Sequence, residues 1–445
     1  MDDKKIYTCQ KCGAQFLKWF GQCPECGAWG TIEKSPSNER AFSSVNKELV
    51  VKNLSSINKK DINRLSSGFS DLDRALGGGI VPGSLILLSG EPGIGKSTFV
   101  LQIAGNLKRQ VLYISGEESL EQIKIRADRL GIEQKLIHTS STQDVSEIIQ
   151  LTKKLKPSLL IVDSIQSLCS YFSSSKSGSV NQIRTATASL MELAKSMNIP
   201  IFIIGHITKD GLIAGPKTLE HLVDVVLCFE GDPYHYFRLL RVNKNRFGPT
   251  QEVAVFEMKK QGLKEVKDSS ILFLNKGKQR LPGSVVSPVL QGTKVFLTEI
   301  QALVNSTPFP YPQRKVKGLN ISKIEILIAV LAQRAGIKLS HLDIYLNVLG
   351  GLTISDAGAD LAICLAIISA VKNKELPQDL VAFGEVGLDG VIHPCHFAGQ
   401  RIKTAAKAGF KKFIFSSENQ KEKIKVKGLD FIRVSQIKEA IKLLF

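Results

Sequence analysis

Short runs of continuous apolar residues alternate with amphipathic stretches through the middle of the chain. "GSLILLSG", "VLYISGEE", "LLIVDS", "PIFIIGHI" and "DVVLCFEG" each hold a brief block of Leu, Ile and Val ending in polar residues. Such blocks predict strands buried on both faces, the pattern of a parallel sheet. Between them "ESLEQIKIRADRLG", "DVSEIIQLTKKL" and "NQIRTATASLMELAKSMN" space their apolar residues as helices do. Strand–helix alternation over residues 61–270 therefore predicts an α/β domain with a mostly parallel sheet flanked by helices. From residue 271 the texture changes to strands and turns ("ILFLNKGKQRLPGSVVSPVLQGTKVFLTEIQALV"). Long helices follow near "SKIEILIAVLAQRAG" and "DAGADLAICLAIISAVKN", then a closing "AGQRIKTAAKAGFKKFIF" unit, which predicts a separate α+β domain over 271–445. Residues 33–60 are polar, weakly periodic and rich in Ser, Asn and Lys, as in a linker.

The first strand block runs into "GEPGIGKST". Gly90, Gly95, Lys96 and Ser97 satisfy the phosphate-loop pattern G-x-x-x-x-G-K-[ST] in the strand–loop–helix context that it requires. The segment Gly90, Glu91, Pro92, Gly93, Ile94, Gly95, Lys96, Ser97, Thr98 would turn backbone N–H groups towards phosphate oxygens at a helix N-terminus. Lys96 would reach the β- and γ-phosphates of ATP, and Ser97 would ligate Mg²⁺. Asp163, ending "LLIVD", is the expected second metal carboxylate. Glu117 and Glu118 end another strand, where either could orient or deprotonate the attacking water, or simply place charge at a helix N-terminus. His206, with Thr208 and Lys209, follows a third; His206 is a γ-phosphate sensor or a plain loop histidine. Lys244 and Arg246 stand two apart in "RVNKNRFGP", so an extended segment projects both to one side, suiting a neighbour's nucleotide or a nucleic-acid backbone.

Four of the eight cysteines crowd into the first 26 residues. Cys9, Cys12, Cys23 and Cys26 form two C-x2-C pairs, an arrangement that aims four thiolates at one structural Zn²⁺ within a module of residues 1–32. Disulfides are the alternative, and a cytoplasmic chain disfavours them. Trp19 and Trp29 are expected to cover the metal turn or, left exposed, to touch partners or bases. The sequence shows no apolar run approaching the roughly 18 residues of a membrane span, and "MDDKKIYTC" has no signal-peptide core, so a cytoplasmic location is expected. A formal charge of +18 favours polyanionic partners, nucleic acid first, unless ordinary solvated helix faces account for it.

Together the knuckle with "KWFGQCPECGAWGT", the "GEPGIGKST" and "LLIVD" pair, the pentapeptide "KNRFG" at 244–248 and the C-terminal domain resemble the RadA (Sms) family of bacterial DNA repair proteins over nearly the whole length. The resemblance implies a RecA-like core, a zinc ribbon and a domain similar to the proteolytic domain of Lon. It also implies an ATP-dependent motor that binds single-stranded and branched DNA, works with the RecA recombinase on recombination intermediates, and forms hexameric rings. Lys244 and Arg246 would act in trans or couple ATP state to DNA grip. Where Lon-type proteases carry their serine this chain has Ala359, and Gly399 or Gln400 falls where the partner lysine would be, with Arg401 and Lys403 out of place. The C-terminal domain is therefore expected to be non-proteolytic, a platform for assembly and DNA, with "QRKVKG" at 313–318 available to phosphate. A protein-contact signalling ATPase, with turnover indifferent to DNA, is the alternative.

Overall fold

The computed structural model describes residues 7–11, 15–16, 18–34, 53, 63–169, 179–206, 219–231, 237–250, 252–266, 270–274, 281–308, 311–421 and 428–445. Most of the expected linker, Cys12, Thr208 and Lys209 lie outside them, as does the side chain of His206. The chain divides into two compact units. The second comprises Val266–Phe445 with Gly231–Arg238 and Gln251–Val255, and the first holds the remainder.

Within the first unit, β1 (Tyr7–Cys9), β2 (Gln15–Phe16) and β3 (Ile32–Lys34) form a small antiparallel sheet in the order β2-β1-β3. A nine-stranded sheet follows: β4 (Leu85–Gly90), β5 (Val111–Ser115), β6 (Ile137–Ser141), β7 (Leu159–Asp163), β8 (Ile201–His206), β9 (Val225–Glu230), β10 (Phe237–Asn245), β11 (Val253–Lys259) and β12 (Gly262–Glu265). Its order is β12-β11-β10-β9-β4-β8-β7-β5-β6. The six strands from β9 to β6 pair in parallel, and β10 turns antiparallel to β9. The predicted apolar blocks are these parallel strands, with β4, β5 and β7 buried at every position. Strand β6, "IHTSS", was not predicted: it is an edge strand with a partly exposed, polar pattern that no apolar run announces.

Helices α1 (Ser70–Ala75), α2 (Lys96–Asn106), α3 (Leu120–Leu130), α4 (Val145–Leu155) and α5 (Val180–Met197) accompany this sheet. Their ends follow local chemistry. Ser119 and Gln122 form a reciprocal capping box on α3, which Gly131 ends in the left-handed conformation. Asp144 caps α4 and Ser179 caps α5. The phosphate-loop helix α2 is held by aromatic packing, since Phe99 lies 5.3, 5.0 and 5.1 Å from the rings of Phe69, Phe229 and Phe256. Each such pair adds about 1 kcal/mol beyond its buried area.

In the second unit β13 (Ser284–Gln291), β14 (Lys294–Ser306), β15 (Arg314–Lys317), β16 (Leu342–Val348), β17 (Leu380–Ala382), β20 (Lys412–Ser416) and β21 (Asp430–Val434) build a mixed sheet, in the order β15-β16-β14-β13-β17-β20-β21. The short pair β18 (Glu385–Val386) and β19 (Ile392–His393) stands apart from it. Helices α6 (Ile321–Ala335), α7 (Asp360–Lys372), α8 (Ala398–Lys407) and α9 (Ile437–Leu444) complete the unit. Helix α7 is buried from Asp360 through Ser369, which accounts for its near-continuous apolar sequence.

Beside the turn before α7 stands Arg401, 1% exposed, whose guanidinium lies 2.9 Å from where a Cβ on Gly358, the residue before Ala359, would stand. Arg401 Nη1 and Nη2 donate to Asp356 at 2.6 and 3.1 Å, and Nε donates to the His396 carbonyl at 3.0 Å. A guanidinium remains protonated and cannot serve as the base that a lysine would be. Burial pushes Asp356 up, but Arg401 wins and holds its carboxyl below the usual range.

Next to it, burial raises Asp360 to about 6, against the opposing pull of Lys323 Nζ at 2.7 Å. A carboxyl whose folded value lies above its unfolded one binds more protons when folded, so stability falls as pH rises from about 4 to 6. Amide hydrogen exchange along Asp360–Lys372, corrected for intrinsic rate, should show opening of this helix to be harder at pH 5 than at pH 7.5 by roughly 1.4 kcal/mol. Asp360→Asn should abolish that difference; an unchanged pH dependence in the variant refutes the assignment.

Candidate functional site

Strand β4 delivers "GEPGIGKST" at its carboxyl end, beside β8 and β9. Gly90, Gly93 and Gly95 have φ of 154°, 76° and 113°. At Gly95 the backbone conformation requires glycine, while a Cβ there would meet only the flexible end of Met258, with Cε 2.7 Å away. Lys96 is 4% exposed and folds back to donate to the carbonyls of Gly90 and Glu91, each at 2.9 Å. Burial lowers its pKa, and the carboxylates of Asp163 and Glu117 oppose that shift.

Pro92, Gly93, Gly95, Lys96, Ser97, Thr98, Glu117, Glu118, Arg126, Arg129 and Asp163 line one cavity of about 330 Å³. Ile94 is buried, and Gly90 and Glu91 contribute the carbonyls that hold Lys96. Asp163 is raised by burial, while hydrogen bonds from Tyr113 and Ser97 draw it down. The Tyr113 hydroxyl donates to Asp163 Oδ2 at 2.7 Å, and burial keeps that phenol protonated. A hydroxyl and a carboxylate already in contact beneath a buried ammonium form a donor set suited to hard cations such as Mg²⁺.

The two glutamates differ. Arg126 clasps Glu118 with both arms of its guanidinium, at 2.7 and 2.5 Å. Glu117 is exposed to the cavity and accepts from the Ser164 hydroxyl. Arg126 and Arg129 were not expected here, because charges on an amphipathic helix such as α3 read as a solvated face. The backbone of His206 pairs with Gly90.

Lys244 and Arg246 are not brought to this cavity. Antiparallel pairing sets Asn245 opposite Val225, at the amino end of β9, so the pentapeptide lies at the far edge of the sheet from the phosphate loop. Strand β4, roughly 17 Å long, separates the two. Lys244 Nζ donates to the Glu220 carbonyl and Arg246 Nη1 pairs with Asp224 at 3.2 Å, so both side chains do reach one segment. Gly248 packs against the Gly77 backbone, where a Cβ would lie 3.1 Å from its Cα.

In the amino-terminal ribbon the sulfurs of Cys9, Cys23 and Cys26 lie within 4.8 Å of one another. Trp19 and Trp29 do not cover them: they are 60% and 74% exposed, and Trp19 Nε1 donates to the Ile32 carbonyl. Tyr7, Phe16 and Ile32 pack there instead.

Comparison with known proteins joins these features. The rubredoxin metal binding domain matches residues 7–34, the ATPase family associated with various cellular activities (AAA) matches 86–225, and the subunit ChlI of Mg-chelatase matches 321–419. The DNA repair protein RadA of Aquifex aeolicus (strain VF5) is 44% identical, covering 100% of this chain and 99% of that protein. RadA of Bacillus subtilis (strain 168) is 43% identical over 99% and 98%, and that of Escherichia coli (strain K12) 41% over 98% and 98%. This chain belongs to the RadA family of DNA repair proteins. Like its family it is an ATP-hydrolysing enzyme of DNA repair and recombination, with ATP as substrate and a cysteine metal site in the ribbon. The crystal structure of the RadB recombinase is 26% identical with a TM-score of 0.38, covering 46% of this chain and 100% of that one. Among the described residues no helix is long and apolar enough to cross a membrane.

Because the buried thiolates are the centre of so small a module, Cys23→Ser should unfold the ribbon alone. Hydrogen exchange of residues 7–34 should rise to the unfolded rate while the thermal transition of the nine-stranded core stays put; a collapsed core refutes this assignment.

Proposed function

We propose that the cavity at the carboxyl edge of the nine-stranded sheet hydrolyses ATP, and that Lys244 and Arg246 serve the corresponding cavity of a neighbouring copy in a ring, a hexamer by family resemblance. The observation that carries this reading is the gathering of Lys96, Ser97, Asp163 and Glu117 around one space, with the pentapeptide cations a strand's length away. The loop amides would hold phosphate oxygens, and Lys96 would leave the Gly90 and Glu91 carbonyls to meet the β- and γ-phosphates. Ser97 and Asp163 would hold Mg²⁺, which neutralises charge on the bridged phosphates. Glu117 takes the part of water-orienting base because Glu118 is engaged by Arg126. His206, on the neighbouring strand tip, would sense the γ-phosphate.

Turnover in this reading drives movement on single-stranded and branched DNA, together with RecA, in the cytoplasm. The charge of +18 and the exposed Lys315 and Lys317 on edge strand β15 support backbone contact. With Ala359 and a buried Arg401 at the turn before α7, the C-terminal unit acts as a non-proteolytic platform. The ribbon metal is Zn²⁺, with Cys12 as fourth ligand.

Lys96→Ala should abolish ATP turnover. Glu117→Gln should lower it about a hundredfold or more with nucleotide binding intact, and Glu118→Gln less than about tenfold; the reverse order transfers the base to Glu118. Steady-state hydrolysis should rise with single-stranded DNA, less so at higher salt, and Lys244→Ala should lose the rise. Turnover indifferent to DNA favours the signalling alternative.

A further inference from the structure

The Arg246 side chain rests on a carboxylate with more than one cation at hand. Asp224 is 1% exposed, and its Oδ1 pairs with Arg246 Nη1 at 3.2 Å, a single and rather long contact for a guanidinium. Its Oδ2 receives Lys195 Nζ, from α5, at 2.9 Å and the backbone N–H of Leu85 at 3.1 Å. The same ammonium lies 5.7 Å from the ring centroid of Phe247. Thus Lys195 touches both what holds Arg246 and the residue that follows it.

We infer that Asp224 and Lys195 form a releasable seat for Arg246, in which Lys195 is a positioning residue that keeps the buried carboxylate neutralised when Arg246 swings out to phosphate. The inference rests on the reading that Arg246 acts on phosphate beyond its own cavity. Three features support it. Arg246 is half exposed, so its side chain has a path out. The backbone about it is held: the Arg246 N–H donates to the Asp224 carbonyl at 3.1 Å, and the Phe247 N–H donates to the buried Asn245 at 2.9 Å. Only the side chain needs to move. Finally, a buried carboxylate left without a cation is strongly unfavourable, and Lys195 prevents that state. Asp224 itself is tied to Leu85, the first residue of the phosphate-loop strand, since its backbone N–H donates to the Leu85 carbonyl at 3.0 Å and its side chain accepts from the Leu85 N–H. The seat therefore stays in place when its occupant leaves.

Without Lys195, departure of Arg246 would leave Asp224 with no directly paired cation, only the more distant charge of Lys244 on the Glu220 carbonyl, so Arg246 would stay seated. DNA-saturated ATP turnover and thermal unfolding, measured on full-length chains, test this. Lys195→Met should lower turnover about tenfold or more, and adding Asp224→Asn should restore it to within about threefold, because a neutral amide no longer retains Arg246. In an Arg246→Gln background Lys195→Met should add nothing. Lys195→Arg, which keeps the charge, should retain wild-type turnover, and this variant decides the matter if Lys195→Met lowers the unfolding midpoint by more than about 5 °C. A merely structural role would shift the midpoint without this pattern of rescue. Wild-type turnover in Lys195→Met, failure of Asp224→Asn to rescue, or loss of turnover in Lys195→Arg overturns the seat while leaving the role of Arg246 intact. Wild-type turnover in Arg246→Gln instead overturns the underlying reading.

Discussion

A parallel strand buried on both faces can offer functional groups only at its ends. In the nine-stranded sheet this constraint sorts chemistry by strand direction. The carboxyl ends of β4, β5 and β7 present the phosphate loop, Glu117 and Asp163 around one cavity. The amino end of β9 meets the antiparallel return of β10, which lands the pentapeptide on the opposite edge. One sheet therefore carries two charged edges a strand's length apart within a single copy, and the proposed ring would set the edge of one copy against that of the next.

Buried charge is compensated in a different way at each place, and the differences follow function. Lys96 is held by two carbonyls that phosphate oxygens can replace. Asp163 is held by Tyr113 and Ser97, one of them a candidate metal ligand. Arg401 and Asp356 are locked by several bonds in a domain where no ligand need displace them. Asp224 lies between these cases, holding two half-exposed cations, of which the proposed seat releases Arg246 and keeps Lys195. Partners that a ligand can replace mark the working edge, and partners that nothing can replace mark the frame.

The parallel strands were legible because burial on both faces writes itself as unbroken Leu, Ile and Val. The phosphate loop was legible because glycine spacing reports backbone shape. Edge strand β6 and the antiparallel extension were not, since partial exposure leaves no such run. Arg126, Lys195 and Asp224 were invisible for a related reason: each is a charged residue in an ordinary position, and only tertiary placement gives it a partner. Trp19 and Trp29 misled because large aromatics usually cover something, and here Tyr7, Phe16 and Ile32 of the same ribbon pack on the cysteines and leave both tryptophans outside. The proposed choice of Glu117 over Glu118 needed Arg126, eight residues beyond Glu118 and about two helical turns along α3.

Mixing two inactive variants tests the division between the edges most directly. Chains carrying Lys96→Ala have no working phosphate loop, and chains carrying Arg246→Ala lack the far-edge cation, yet a junction between them can unite an intact cavity with an intact Arg246. Turnover that reappears on mixing, and is greatest near equal amounts, is the predicted result. Mixtures that stay as inactive as their components at every ratio, although the chains co-assemble, would contradict the account.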